Sequence, residues 1–145
     1  MVNVEKIHKL LRSLEEAVGR LHEISQIPLA QFLVDGLALG AAKYYLQTAI
    51  EACIDIGNHV ISSEGFRSPR DYRDVFSILH EEGIVSHEAV EDFRKMAGLR
   101  NRLVHLYWEV DDELIYKYLQ TGPGEFEKFA RMITEYLSRS GPAET

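Results

Sequence analysis

From residue 94 the sequence reads Arg94-Lys95-Met96-Ala97-Gly98-Leu99-Arg100-Asn101-Arg102-Leu103-Val104-His105-Leu106-Tyr107-Trp108, which gathers four cations, one imidazole and two aromatic rings within an acidic chain. Arginine chelates a phosphate through paired N–H donors, histidine moves protons near neutral pH, and aromatic rings stack on bases. Together these residue types suit RNA chemistry that runs without a metal ion. Arg100 and His105 are five residues apart, an offset of about 140° on an ideal helix, so they diverge unless the helix ends between them or two chains meet there. Asn101 and His105, four apart, share a face. A second polar row, Glu51, Asp55 and Asn58, follows a spacing of four and three. It reads either as a half-buried functional face or as the solvated stripe of an amphipathic helix, and spacing alone favours the stripe.

Other chemistries find little support. The histidines at positions 8, 22, 59, 80, 87 and 105 contain no pair three or four residues apart, so no dedicated zinc site is expected. His8, His22, His80 and His87 sit among charged residues and read as solvated. The single Cys53 can form neither an intrachain disulfide nor a cysteine-based metal site, which favours a reducing compartment such as the cytoplasm. No glycine-rich phosphate loop follows a strand.

These residues must be placed by helices. Val4, Ile7, Leu11, Leu14, Val18 and Leu21 alternate at three and four and predict a first helix over about 3–24. Pro28 interrupts the pattern. Leu39, Ala42, Leu46, Ala49, Cys53, Ile56 and Val60 predict a long second helix over about 32–62 that pairs with the first, with Gly36 and Gly40 available for close backbone approach. Ser68-Pro69-Arg70-Asp71 offers an N-cap and a first-turn proline for a third helix, stopped near Gly83. Ser86 caps a fourth that runs to about Leu106. Asp111 and Asp112 open a short fifth helix closed by Gly122-Pro123-Gly124, and Phe126, Phe129, Ile133 and Leu137 mark a sixth. No alternating run with hairpin chemistry occurs, so the fold class is all-α, an antiparallel helical bundle of about five to six helices. Residues 1–137 read as one domain and 138–145 as a flexible C-terminal tail.

The chain has 145 residues, 46% of them hydrophobic, enough to bury one core. Its net charge of −7 opposes long-range attraction to nucleic acid or anionic membranes, so polyanion binding must come from a local basic patch. Charges at Glu5, Lys6, Lys9 and Arg12 give the N-terminus no signal-peptide shape. The most apolar stretch, Ile27 to Ile50, is broken by Asp35 and Lys43 well short of the roughly 20 residues of a membrane span.

Arg100-Asn101-Arg102-Leu103-Val104-His105-Leu106-Tyr107 reads as Arg, four residues, His, one residue, Tyr, and resembles the signature of the HEPN superfamily, specifically the HepT-like toxins. Gln47 to His59 is similar to the second-helix segment of that family. The resemblance implies a homodimeric helical bundle acting as a metal-independent endoribonuclease. It also implies the toxin role in a type II-like toxin–antitoxin system, opposite a minimal nucleotidyltransferase antitoxin of the MntA kind. Facing motif helices from two subunits would place both copies of Arg100 and His105 in one composite cleft. Under the resemblance, Arg100 binds the scissile phosphate and His105 serves as general base or acid for attack by the ribose 2′-hydroxyl. Asp55 would orient one of them, with Glu51 in support, and Asn101 would hold a phosphate oxygen. Tyr107 would receive an AMP group from the antitoxin. No cofactor, metal or membrane is implied. The rival reading is a non-catalytic subunit that docks a nucleotidyltransferase and helps bind nucleotide.

Overall fold

The computed structural model describes residues 1–139. The first helix, α1, spans Val4–Ser25 and starts at Asn3, whose side-chain oxygen accepts the Lys6 amide at 3.1 Å. Ile7, Leu14, Val18 and Leu21 are buried, as the three-four alternation predicts. After Pro28 the chain makes a single helical turn, α2 (Leu29–Phe32), too short to show a periodic pattern, so Phe32 belongs to this turn and not to the expected helix over about 32–62. The turn exists to seat Phe32, whose ring lies 5.3 Å from that of Tyr116 while the Tyr116 hydroxyl donates to the Ile27 carbonyl at 2.7 Å.

The long helix α3 covers Gly36–Glu64, capped by Asp35 and ended by Gly65 at φ +71°. It is the centre of the bundle: α1, α4 (Tyr72–Glu81), α5 (His87–His105) and α6 (Asp112–Arg139) all pack on it. The close approach expected at Gly36 and Gly40 is not there, since a Cβ on either would meet nothing within 4 Å. Gly57 plays that part instead. A Cβ at Gly57 would stand 2.5 Å from Val75 Cγ1, so its absence lets α3 and α4 touch.

Two expected boundaries are corrected. The third long helix starts at Tyr72 behind Asp71, not at Ser68-Pro69, because the Arg70 amide is taken by the Asp74 carboxylate at 3.0 Å and Asp71 itself accepts the Asp74 amide at 2.8 Å. The expected fifth and sixth helices are one helix, α6, with Pro123 inside it. Ile115, Leu119, Gly122, Phe126, Phe129 and Ile133 continue one buried stripe at steps of four, three, four, three and four straight through the proline. Burial of that stripe offsets the missing amide donor, a cost of about 3 kcal/mol in a free helix. Ser138 and Arg139 complete α6 rather than opening the expected tail, and 140–145 lie outside the described residues.

The core is aromatic where α4, α5 and α6 meet. The rings of Phe76, Phe93 and Phe129 lie 5.4–5.8 Å apart, mostly edge to face. These contacts fix α5, the helix that carries the Arg–His motif. No described helix is long and apolar enough to cross a membrane.

Candidate active site

Helix α5 continues without a break to His105, and the Leu106 amide closes it on the Arg102 carbonyl at 2.7 Å. The helix therefore does not end between Arg100 and His105. Even so, both residues line one open cleft of about 640 Å³ within a single chain. Its walls are α5 (Arg100, Asn101, Val104, His105), Asn58 of α3, and the segment Pro69-Arg70-Asp71-Tyr72 that leads into α4. The cleft wraps round α5, so residues well apart on the helix both line it within one chain.

Arg100 is held tightly. Its Nε donates to Glu51 Oε2 at 3.0 Å, its Nη2 lies 2.9 Å from the same oxygen, and its Nη1 donates to Asn101 Oδ1 at 3.3 Å. The Tyr72 ring lies beneath the guanidinium, 4.7 Å from Cζ to the ring centroid. An arginine has five N–H donors, so three engaged here leave two for an anion in the cleft. The Arg100 side chain is 15% exposed and that of Glu51 34%, which makes this a half-shielded ion pair. The polar row on α3 is thus not merely a solvated stripe: Glu51 is the counterion of Arg100.

Asp55, one turn further along α3, is exposed and makes no hydrogen bond or ion pair with any described residue. Partial desolvation of the carboxyl by its surroundings and repulsion from Glu51 raise its pKa above the usual carboxylate value, while Lys6 and Arg100 pull it down. It lines a smaller cavity of about 280 Å³ together with Glu51, Tyr72 and Arg100. No contact joins it to His105. His105 itself is exposed at the rim.

Tyr107 opens a 3-10 turn, Tyr107–Glu109, just past α5, and does not line the cleft. Its ring packs on neither Trp108 nor Tyr118. Instead the Lys43 ammonium sits 4.2 Å from the ring centroid and 3.7 Å from an Asp112 carboxylate oxygen. Lys43 is the single buried charged side chain among the described residues, and the phenol above it remains 44% exposed. Lys43, Tyr72 and Arg70 were not singled out from the sequence as site residues. Lys43 carried a signal all the same, being a charge in the apolar stretch from Ile27 to Ile50.

The remaining histidines stay apart from the cleft. His8, His22 and His87 are exposed, with His22 3.2 Å from Glu127. His80 departs from expectation: it is half-buried, with Nδ1 3.0 Å from the Val85 carbonyl, because the loop after α4 folds back over it. Among the described residues no three His, Cys, Asp or Glu side chains come together as a metal site.

Residues 14–133 match the model of the ribonuclease HepT-like family. The mRNA nuclease HepT of Shewanella oneidensis is 32% identical over 104 residues, covering 72% of this chain and 78% of that protein. A putative RNase of Archaeoglobus fulgidus is 32% identical over 134 residues, or 92% of this chain and 97% of its own length. Among solved structures, the tri-AMPylated Shewanella oneidensis HEPN toxin in complex with its MNT antitoxin superposes with a TM-score of 0.82 at 27% identity, covering 89% of this chain and 96% of that one. With the Arg–His motif of α5 facing a cleft on the matching bundle, the chain belongs to the HepT-like ribonuclease family.

Proposed function

We propose that this chain is the endoribonuclease toxin of a toxin–antitoxin pair and cleaves RNA with Arg100 and His105, acting in the cytoplasm without a metal ion. The observation that carries this reading is the Arg100 guanidinium, fixed on three sides with two donors free, in the same cleft as an exposed imidazole. The two free donors bind the non-bridging oxygens of the scissile phosphate and stabilise the charge that grows there as the ribose 2′-oxygen attacks. His105 takes the 2′-hydroxyl proton. The P–O5′ bond breaks, which leaves a 2′,3′-cyclic phosphate on one product and, after protonation, a 5′-hydroxyl on the other. Asn101 supplies its amide beside the phosphate, and Glu51 holds Arg100 in line. Asp55 supports the site through its charge and not through contact.

A second copy docking through the α5 face would make a homodimer, add a second imidazole and guanidinium to the cleft, and concentrate positive charge against the chain's net −7. Control by a partner follows the relatives: a minimal nucleotidyltransferase antitoxin transfers AMP to Tyr107. Lys43 clamps the ring from below, so the phenol oxygen is presented from a fixed position two residues past His105. The added phosphodiester would place negative charge beside the cleft, where it competes with RNA for the arginine. Incubating the purified chain with RNA in EDTA and sequencing the product ends tests the nuclease reading. Cyclic phosphate and 5′-hydroxyl termini are expected, and 3′-hydroxyl with 5′-phosphate ends would refute it.

A further inference from the structure

Beyond Asn58 lies another cavity of about 370 Å³, formed by Lys6 and Leu10 of α1 and by Asp55, Asn58, His59 and Ser62 of α3. Asn58 also lines the main cleft, and Asp55 also lines the small cavity that it shares with Arg100. The Lys6 cavity therefore adjoins the place where the nuclease reading puts the scissile phosphate, on which this inference rests.

Its hydrogen-bonding character is defined by its neighbours. His59 Nε2 lies 3.0 Å from the Asn3 amide nitrogen and accepts its proton. A backbone N–H can only donate, so Nε2 holds the lone pair and the ring proton sits on Nδ1. Burial, Lys6 and the N-terminal ammonium all lower the His59 pKa, in the same direction as the acceptor role that the Asn3 amide gives Nε2. Lys6 offers donors only. Asp55 offers acceptors only, and its carboxylate is unengaged by any described residue. A phosphate in this cavity would meet that carboxylate as a like charge, whereas a flat base would not.

Among the four RNA bases, guanine alone places two adjacent N–H groups, N1–H and N2–H, next to a carbonyl, O6, on its pairing edge. A carboxylate beside a cation is the complement of that edge. We propose that the cavity formed by Lys6, Asp55, Asn58 and His59 is a guanine-binding subsite that takes the base flanking the cleaved bond. Asp55 accepts from N1–H and N2–H, and Lys6 or His59 Nδ1–H donates to O6. Asn58 stands at the junction of subsite and cleft. The subsite gives the Asp55 carboxylate, which supports the cleft only through its charge, a direct contact with RNA.

The test is cleavage of short RNAs that differ at one position, guanosine, inosine, adenosine, cytidine or uridine, by the wild-type chain and by Asp55→Asn and Lys6→Ala. One bidentate base contact discriminates by about 5- to 150-fold. The guanosine substrate should be cleaved faster than adenosine by a factor in that range, with inosine, which lacks the N2 amino group, in between. Asp55→Asn should bring guanosine down to the adenosine rate. Equal cleavage of all bases by the wild-type chain, or an unchanged preference in Asp55→Asn, overturns the subsite and leaves the nuclease reading intact. Calorimetry with guanosine and adenosine 3′-monophosphates provides the second arm. A chain that cleaves no RNA refutes the nuclease reading, while guanosine binding that is lost in Asp55→Asn still upholds the subsite, and equal binding of both nucleotides removes it.

Discussion

Replacing Glu51 with alanine separates a positioning role from an inhibitory one. In the folded chain one Glu51 oxygen receives both Arg100 Nε, at 3.0 Å, and Arg100 Nη2, at 2.9 Å. An exposed ion pair contributes about 0.2–1 kcal/mol, and a hydrogen bond to a charged group about 1.5–3 kcal/mol. With Arg100 at 15% and Glu51 at 34% exposure the pair falls between these cases, so Glu51→Ala should destabilise the fold by about 1–2 kcal/mol. The chain stays folded at that cost, and thermal melting checks it. The guanidinium keeps only the Asn101 contact at 3.3 Å and the Tyr72 ring at 4.7 Å, neither of which fixes its direction. A misplacement of about 1 Å in a catalytic group costs on the order of 100-fold, and loss of the whole donor about 10²–10³-fold. Single-turnover cleavage of a short RNA should therefore fall roughly 10- to 100-fold in Glu51→Ala, with a smaller loss in Glu51→Gln, which keeps one acceptor. A rate equal to or above wild type would show that Glu51 competes with the phosphate for Arg100, and the positioning argument would be wrong.

Three further outcomes are expected. Light scattering at micromolar concentration should give the mass of a dimer, and a monomer would remove the composite cleft while leaving the single-chain cleft in place. Gly57→Ala should lower the melting temperature, at a cost of about 1–3 kcal/mol, because its Cβ would lie 2.5 Å from Val75 Cγ1 on a packed helix; an unchanged melting curve would contradict that packing. Arg67 binds Asp74 at 2.7 and 2.9 Å and, with the Arg70 amide, lowers the Asp74 carboxyl to about 2 from 3.8. A depressed carboxyl stabilises the fold above its unfolded pKa and loses that contribution as pH falls through the folded value, so the stability gap between wild type and Arg67→Ala should close between pH 4 and 2; a gap constant over that window would mean that Asp74 is not perturbed.

Much of this molecule could be read from residue order because its helices carry strong periodicity. The stripes of α1 and α3 were legible, and so was the extent of α5. Pro123 misled because a single residue's missing donor is a local signal, whereas the stripe from Ile115 to Ile133 that overrides it spans the whole helix. The Arg100–His105 pair was visible as a motif, but the cleft was not, since its far wall comes from residues 69–72, a segment placed by the Arg67–Asp74–Arg70 contacts rather than by any pattern. Spacing alone favoured a surface stripe for Glu51, and which residue it holds was not legible because that partner is 49 residues away in sequence. Lys43 under Tyr107 depends on how α3 passes the turn after α5, and helical spacing says nothing of that.

The most direct test of the central claim is the single-turnover rate of RNA cleavage, in EDTA, by the wild-type chain and by Arg100→Ala and His105→Ala, each first shown to keep its helical content. Cleavage by wild type should persist in the chelator. Arg100→Ala should fall by about 10²–10³-fold and His105→Ala by about 10²–10⁴-fold. Either variant cleaving within a factor of two of wild type, or activity that vanishes in EDTA and returns with a divalent metal, would contradict RNA cleavage by these two residues alone.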